Sequence, residues 1–249
     1  NIDYIYSSHN TGSAGGWNMG IEYAIKNNFD LIWLMDDDGF PHHESLLHLY
    51  NSIQEKNIVC LSSLVVDSKE NSRLAIPLPI LNKNNLPVIF KLKRKIYLKN
   101  DNDILNNKFY KFANFFNGTL IKLSAIKEIG QINKDFFLYG EEVDYFFRLR
   151  KVGNVLTLCK SIHYHPNINK PWSLIKIYFY IKNSIFLNFK YFDYPLFRSF
   201  ANILIVLLRV IRNNGIIFFL NLLLPKNLKI ILVAIVRGFL FKIGNDFKK

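Results

Sequence analysis

The chain has 249 residues, half of them hydrophobic, and a formal net charge of +13. That is enough for one sizeable core with an appendage. Two cysteines, Cys60 and Cys159, give no disulfide framework and fit a reducing compartment. The charge is lopsided: residues 170–249 hold 13 of the 32 basic residues and only two acids, Asp193 and Asp246. Those basic residues punctuate Leu, Ile and Phe runs rather than a polar face. This argues against nucleic acid as a partner and for an anionic membrane surface.

In chain order, Ile2–Tyr6 alternates like a strand, and the Gly-rich stretch from Asn10 to Gly20 runs into a helix near residues 16–28. Backbone N–H groups at such a helix start favour a phosphate or ribose oxygen. The spacing is not that of a dinucleotide fingerprint, and taken alone the loop reads more simply as a turn into a tight helix start. The next apolar run, near residues 30–36, has the character of a strand buried on both faces of a parallel sheet. It ends in Asp36, Asp37 and Asp38. Three adjacent carboxylates repel one another unless a hard divalent cation sits among them. The end of a strand is also where open α/β sheets bind ligands.

A helix near 44–56 and a strand near 58–65 continue the alternation. Residues 66–110 are rich in Asn, Lys and Pro and read as an insertion of irregular structure and short strands. A strand follows over 111–123, around Asn117 and Gly118. A short helix then starts with Ser124 as N-cap and stops at Gly130. Another helix should run from Glu141 to Val152, ended by Gly153. The alternation from Val155 to Ile162 gives a strand leading to His163 and His165. The tail shows at least three helical segments. Lys176, Asn183 and Lys190 stand at heptad spacing in one of them. In the next, Arg198, Asn202, Arg209 and Arg212 fall within about 80° of one another. No run reaches the ~18 uncharged apolar residues that a spanning helix needs. The tail is therefore expected to lie in a membrane interface, with a buried helical pair or an oligomer interface as the alternative.

Asn10-Thr11-Gly12-Ser13-Ala14-Gly15-Gly16-Trp17-Asn18-Met19-Gly20, followed by Trp33-Leu34-Met35-Asp36-Asp37-Asp38, resembles the family 2 inverting glycosyltransferases, in particular the rhamnosyltransferase and galactofuranosyltransferase branch. The resemblance extends through Phe136–Asp144, Arg148 and Gly153 to His163-Tyr164-His165-Pro166, and on to Tyr178–Asn183. It implies a GT-A-like, Rossmann-related α/β fold: a mostly parallel sheet flanked by helices over residues 1–170, followed by an amphipathic helical tail over 171–249. Members of the family open with a strand, a short helix and a second strand carrying a base-reading Asp. By that pattern roughly 40 residues would be lacking ahead of Asn1.

The resemblance also implies roles. Asp36 and Asp38 form the metal site for Mn²⁺ or Mg²⁺, and His165 is the added ligand, with His163 as alternative. Asp37, Asn10, Gly15, Gly16 and Asn18 face the donor. Glu142, the second acid of a pair that usually reads Glu-Asp, is the base. Trp17, Asn117, Gly118, Glu141, Asp144 and His163 are candidates for contacting the acceptor or supporting the site. The reading without chemistry takes Glu141 and Glu142 as complements to a helix dipole. The implied function is metal-dependent transfer of a sugar, with inversion, from a nucleotide-diphosphate donor to a glycan or lipid-linked glycan of cell-surface polysaccharide. The enzyme would sit peripherally on the cytoplasmic face of the plasma membrane, its oligomeric state left open. The competing reading is a catalytically inactive, membrane-bound partner that binds diphosphate ligands. A nucleotidyltransferase on a similar sheet fits less well, because its basic, Gly-rich signature is not seen.

Overall fold

The computed structural model describes residues 2–89, 91–166 and 171–247. The chain forms two compact units: Gly20–Gln131 with Tyr145–Ile168, and Asn1–Met19 with Ile132–Asp144 and Asn169–Lys249. The first is built on a sheet and the second on helices. The helical unit takes residues from both sides of position 170.

Residues 2–7 form no strand, contrary to the alternation, and Ile2, Tyr4 and Tyr6 are exposed. Alternation sets which side chains could share a face, but a strand also needs a ladder for its N–H and C=O groups. No described strand pairs with this segment. Helix α1 (Gly12–Lys26) starts earlier than expected, so the Gly-rich stretch is its first turns rather than a loop before it.

In the sheet unit the elements are β1 (Leu31–Met35), β2 (Phe40–Pro41), α2 (Ser45–Ile53), β3 (Ile58–Asp67), β4 (Arg73–Pro79), β5 (Lys95–Leu98), α3 (Asn102–Leu105), β6 (Phe109–Tyr110), β7 (Asn117–Lys122), α4 (Leu123–Ile129) and, after α5 (Glu141–Leu149), β8 (Asn154–His165). The main path runs β1-β7-β3-β4-β5, and β8 pairs with β3, β2 and β6. The α/β class is as expected, but the sheet is not mostly parallel. Among the described strands only β3 and β8 pair in parallel; the other pairs are antiparallel. Parallel neighbours need long crossovers. Here β3, β4 and β5 return directly on one another, and β7 enters antiparallel between β1 and β3.

The Asn/Lys/Pro-rich insertion is more ordered than its composition suggests. Leu74, Leu78 and Ile96 of β4 and β5 pack with Leu64 and Val66 of β3. The centre of the unit is Leu61, Leu120 and Leu158 against Leu49 and Ile53 of α2. Gly130 ends α4 with φ +80°, as its position predicted, but Lys122 rather than Ser124 precedes the first turn. Helix α5 stops at Leu149 and a turn reaches Gly153, whose N–H still bonds Leu149 O.

In the helical unit, α6 (Leu174–Tyr191), α7 (Pro195–Asn214), α8 (Ile216–Leu222) and α9 (Pro225–Phe239) share a core of Ile177, Ile181, Ile185, Val206, Val210, Ile231 and Ala234. A Cβ on Gly238 would lie 2.9 Å from Ile185 Cβ, so α6 and α9 approach closely. Buried Lys182 donates to Gly244 O and Asp246 Oδ2, each at 2.6 Å, which ties the last residues onto α6. The polar stripes expected to face a membrane turn inward instead. Asn183 is buried, and Lys190 pairs with Asp144. Arg198 is buried against Asp193, and the Arg209 guanidinium lies over Trp172 and Tyr180. Of the three arginines only Arg212 is exposed. Among the described residues no single helix is long and apolar enough to cross a membrane; α8 and α9 together reach that length and composition but are bent by 75°.

Candidate metal centre and acid pair

In the sheet unit the strand ends assemble one group of ligands. Strand β1 delivers Asp36, Asp37 and Asp38 to its C-terminal end, and β8 ends at His165. Strand β2 folds back on β8, with Phe40 opposite Tyr164 and Pro41 opposite His163. That return brings the aspartates alongside the histidine strand. One ligand atom each from Asp36, Asp38 and His165 lie within 4.8 Å of one another. His165 Nε2 is 3.0 Å from Asp38 Oδ1, and its Nδ1 is 2.7 Å from Pro166 O. A carbonyl partner at Nδ1 fixes the proton there and leaves the Nε2 lone pair for a metal. A protonated ring pairs Nε2 with Asp38 directly, and a metal bound at Nε2 would take the place of that proton. Burial raises the Asp36 pKa, the Asp38 charge raises it further, and His165 and Asn117 oppose. A hard divalent cation fits this oxygen-and-imidazole set. Asp37 points to solvent beside it.

Asn117 and His163 support this group. Asn117 Nδ2 donates to Asp36 Oδ2 at 3.3 Å from the adjacent β7. His163 is fully buried and stands outside the ligand group. Its ring occupies a slot between two glycines: a Cβ on Gly39 would lie 2.4 Å from Nε2, and one on Gly118 would lie 3.0 Å from Nδ1. Neither ring nitrogen has a hydrogen-bond partner. Burial first, then His165, lower its pKa to about 4 against the pull of Asp38, so the ring is neutral. Its bulk, rather than a ligand atom, is what it offers the Asp38–Gly39 turn. A second group, His42, His43 and Glu44, is largely exposed.

In the helical unit the acid pair opens α5. Ser13 Oγ donates to Glu141 Oε1, and Gly140 N–H donates to Glu142 Oε2 at 2.9 Å. Burial, then the Glu142 charge, hold Glu141 well above the usual carboxylate range, with Ser13 opposing. Burial also raises Glu142, but backbone N–H groups and the Glu141 side chain favour its charged form. The hydrogen bonds favour the proton on Glu141 and the charge on Glu142, whose pKa burial raises, the direction that suits a general base.

Asp144 is buried and accepts from Lys190 Nζ at 2.8 Å and Tyr191 Oη at 2.6 Å, so it anchors the end of α6. Asn10 Oδ1 accepts from Gly12 N–H at 2.8 Å and closes the turn ahead of α1. On α1, Gly15 packs against Thr11, the Cα of Gly16 faces open space, Trp17 is half-buried and Asn18 is buried. One positioning residue escaped the sequence reading. Asn183 Nδ2 donates to Phe136 O, Leu138 O and Tyr139 O at 3.1, 3.0 and 2.7 Å. It pins the turn in which Phe137, Tyr139 and Gly140 have φ of +57°, +62° and +101° and which presents the acid pair. The signal was an Asn in a largely apolar helix, which also reads as part of a solvent stripe.

Residues 1–116 match the family model described as Glycosyl transferase family 2. The chain is 29% identical over 165 residues to the galactofuranosyltransferase GlfT1 of Mycobacterium tuberculosis H37Rv, covering 66% of this chain and 51% of that protein. The GlfT1 of Mycolicibacterium smegmatis is 27% identical over 165 residues, covering 66% and 53%. The low-salt glycan biosynthesis hexosyltransferase Agl10 of Haloferax volcanii is 29% identical over 173 residues, covering 66% and 52%. The chain spans about half the length of these curated relatives. A solved structure of GalNAc-T7 with UDP, GalNAc and Mn²⁺ matches with a TM-score of 0.45 at 12% identity, covering 72% of this chain and 38% of that one. The match over residues 1–116 likens that stretch of the chain to the family 2 glycosyltransferases, and the sheet unit has the mixed α/β architecture described above.

Proposed function

We propose that the chain is the core of a divalent-cation-dependent, inverting hexosyltransferase. It would use a nucleotide-sugar donor and a glycan or lipid-linked glycan acceptor, peripherally on the cytoplasmic face of the plasma membrane. The observation that carries this reading is the Asp36, Asp38 and His165 group at the strand ends. A cation held there would supply charge neutralisation for a departing diphosphate. Asp37 and the α1 start, with Asn10, Gly15, Gly16 and Asn18, would orient the donor. Glu142 would take the acceptor hydroxyl proton as that oxygen attacks, while Glu141 keeps its own proton and holds Glu142 in place. A single displacement inverts the anomeric carbon.

Calorimetric titration with Mn²⁺, alone and with a nucleoside diphosphate, tests the assignment. The native chain should bind Mn²⁺, and Asp38→Ala should lose that binding with an unchanged circular dichroism spectrum. Equal Mn²⁺ affinity in the variant would remove the metal role. Cation and diphosphate binding without any sugar transfer would make the chain a binding partner rather than an enzyme.

A further inference from the structure

The outward faces of the last three helices are mostly hydrocarbon, with exposed Lys229 set in that of α9. On α7, Leu196, Phe200, Leu204 and Leu208 recur every fourth residue and are each more than half exposed. Arg198 and Ser199 of the same helix are buried, and Arg212 near its end is exposed. A water-facing helix carries the reverse arrangement. On α9, Leu232 and Val236, with Leu240 just past its end, repeat the stripe, and on α8 Ile217 is 75% exposed. Exposed apolar stripes of this kind mark an interaction site.

Charge and geometry choose the occupant. Residues 194–245 contain no Asp or Glu. Exposed Arg212, Lys226 and Lys242 flank the apolar stripes near the helix ends. That pattern complements anionic headgroups around a hydrocarbon interior. Helices α8 and α9 are 7 and 15 residues long, roughly 10 and 23 Å, so neither alone crosses a core of about 30 Å, and their 75° bend keeps them from acting as one rod.

We infer that α7, α8 and α9 insert their exposed stripes into one leaflet of a phospholipid bilayer, lying along its surface. The inference rests on the membrane-peripheral reading and changes its cause. Acyl-chain burial holds the protein, because two of the three arginines of α7 are spent on internal partners.

Flotation of the full chain with neutral phosphatidylcholine liposomes, and with liposomes containing phosphatidylglycerol, tests this. It is run at low salt and at about 1 M salt, where charge is screened within roughly 3 Å. The chain should float with both compositions at both salts. Leu204→Glu combined with Leu208→Glu, both at exposed sites, should reduce the bound fraction by roughly tenfold or more. Mn²⁺ titration of that variant should be unchanged, which separates loss of insertion from loss of fold or of the metal site. Complete release by salt would overturn insertion and keep the peripheral location. Failure to float with any liposome would overturn both. A lipid-free dimer that the same substitutions dissociate would assign the face to a second copy of the chain and overturn the inference.

Discussion

At the scale of single residues, Glu141 and Glu142 stand at consecutive positions in a largely dry environment. Two adjacent buried carboxylates do not both ionise at low cost. If Glu142 is the base, Glu142→Gln should keep donor affinity and lower kcat by roughly 10²–10⁴-fold in steady-state assays. The acid limb of the native pH profile should lie above the ~4.3 of a free glutamate, because burial raises the group. Glu141 makes a separate prediction about stability. Its folded pKa is raised, so the folded state holds a proton that the unfolded chain releases. The resulting stabilisation is complete below the unfolded pKa and is lost as pH rises through the folded one, at up to about 1.4 kcal/mol per pH unit. Glu141→Gln keeps an acceptor for Ser13 and should flatten that slope in melts taken from acid to mildly alkaline pH, leaving the variant more stable than the native chain at the alkaline end. The aspartates stood out because three adjacent charges at the end of an apolar run repel one another unless a cation sits among them, although a solvated acidic turn after a strand reads the same way. Asn183 did not, since its purpose lies in three carbonyls more than forty residues away in sequence.

At the scale of elements, the metal group depends on how β1, β2 and β8 meet. The slot for His163 leaves no room for a methyl group on Gly39. Gly39→Ala should therefore shift the turn carrying Asp38 and weaken Mn²⁺ binding, read by the same titration, although position 39 offers no ligand. Asn183→Ala leaves buried carbonyls without their donor and should cost about 2–4 kcal/mol in urea unfolding. A long apolar run announced β3, because burial on both faces demands one; alternation announced β8, and β1, read as buried on both faces, stands at the end of the sheet path and buries only Leu34. Such a run could not tell parallel from antiparallel neighbours, since both leave a central strand buried on either side. The helices of the tail were legible as helices, but their facing was not. A stripe of Arg and Asn on an apolar helix fits an outer surface or an interior with partners equally well. Asp193 and the ring faces of Trp172 and Tyr180 decided it.

At the scale of the whole molecule, the helical unit is assembled from three separated stretches of chain. A chain cut after Lys170 would deprive residues 1–19 and 132–144 of most of their unit. Limited proteolysis of such a fragment should clip those two stretches and spare Gly20–Gln131; uniform protection would show that they fold without α6 to α9. The interleaving also has a consequence for the timing of synthesis. Residues 1–19 leave the ribosome well before α6 to α9 exist. At about 5–20 residues per second, the interval is roughly 10–40 s. Through that time the first turns of α1 lack the tail that completes their unit. Residues 1–19 thus wait longer for the rest of their unit than Ile132–Asp144 do.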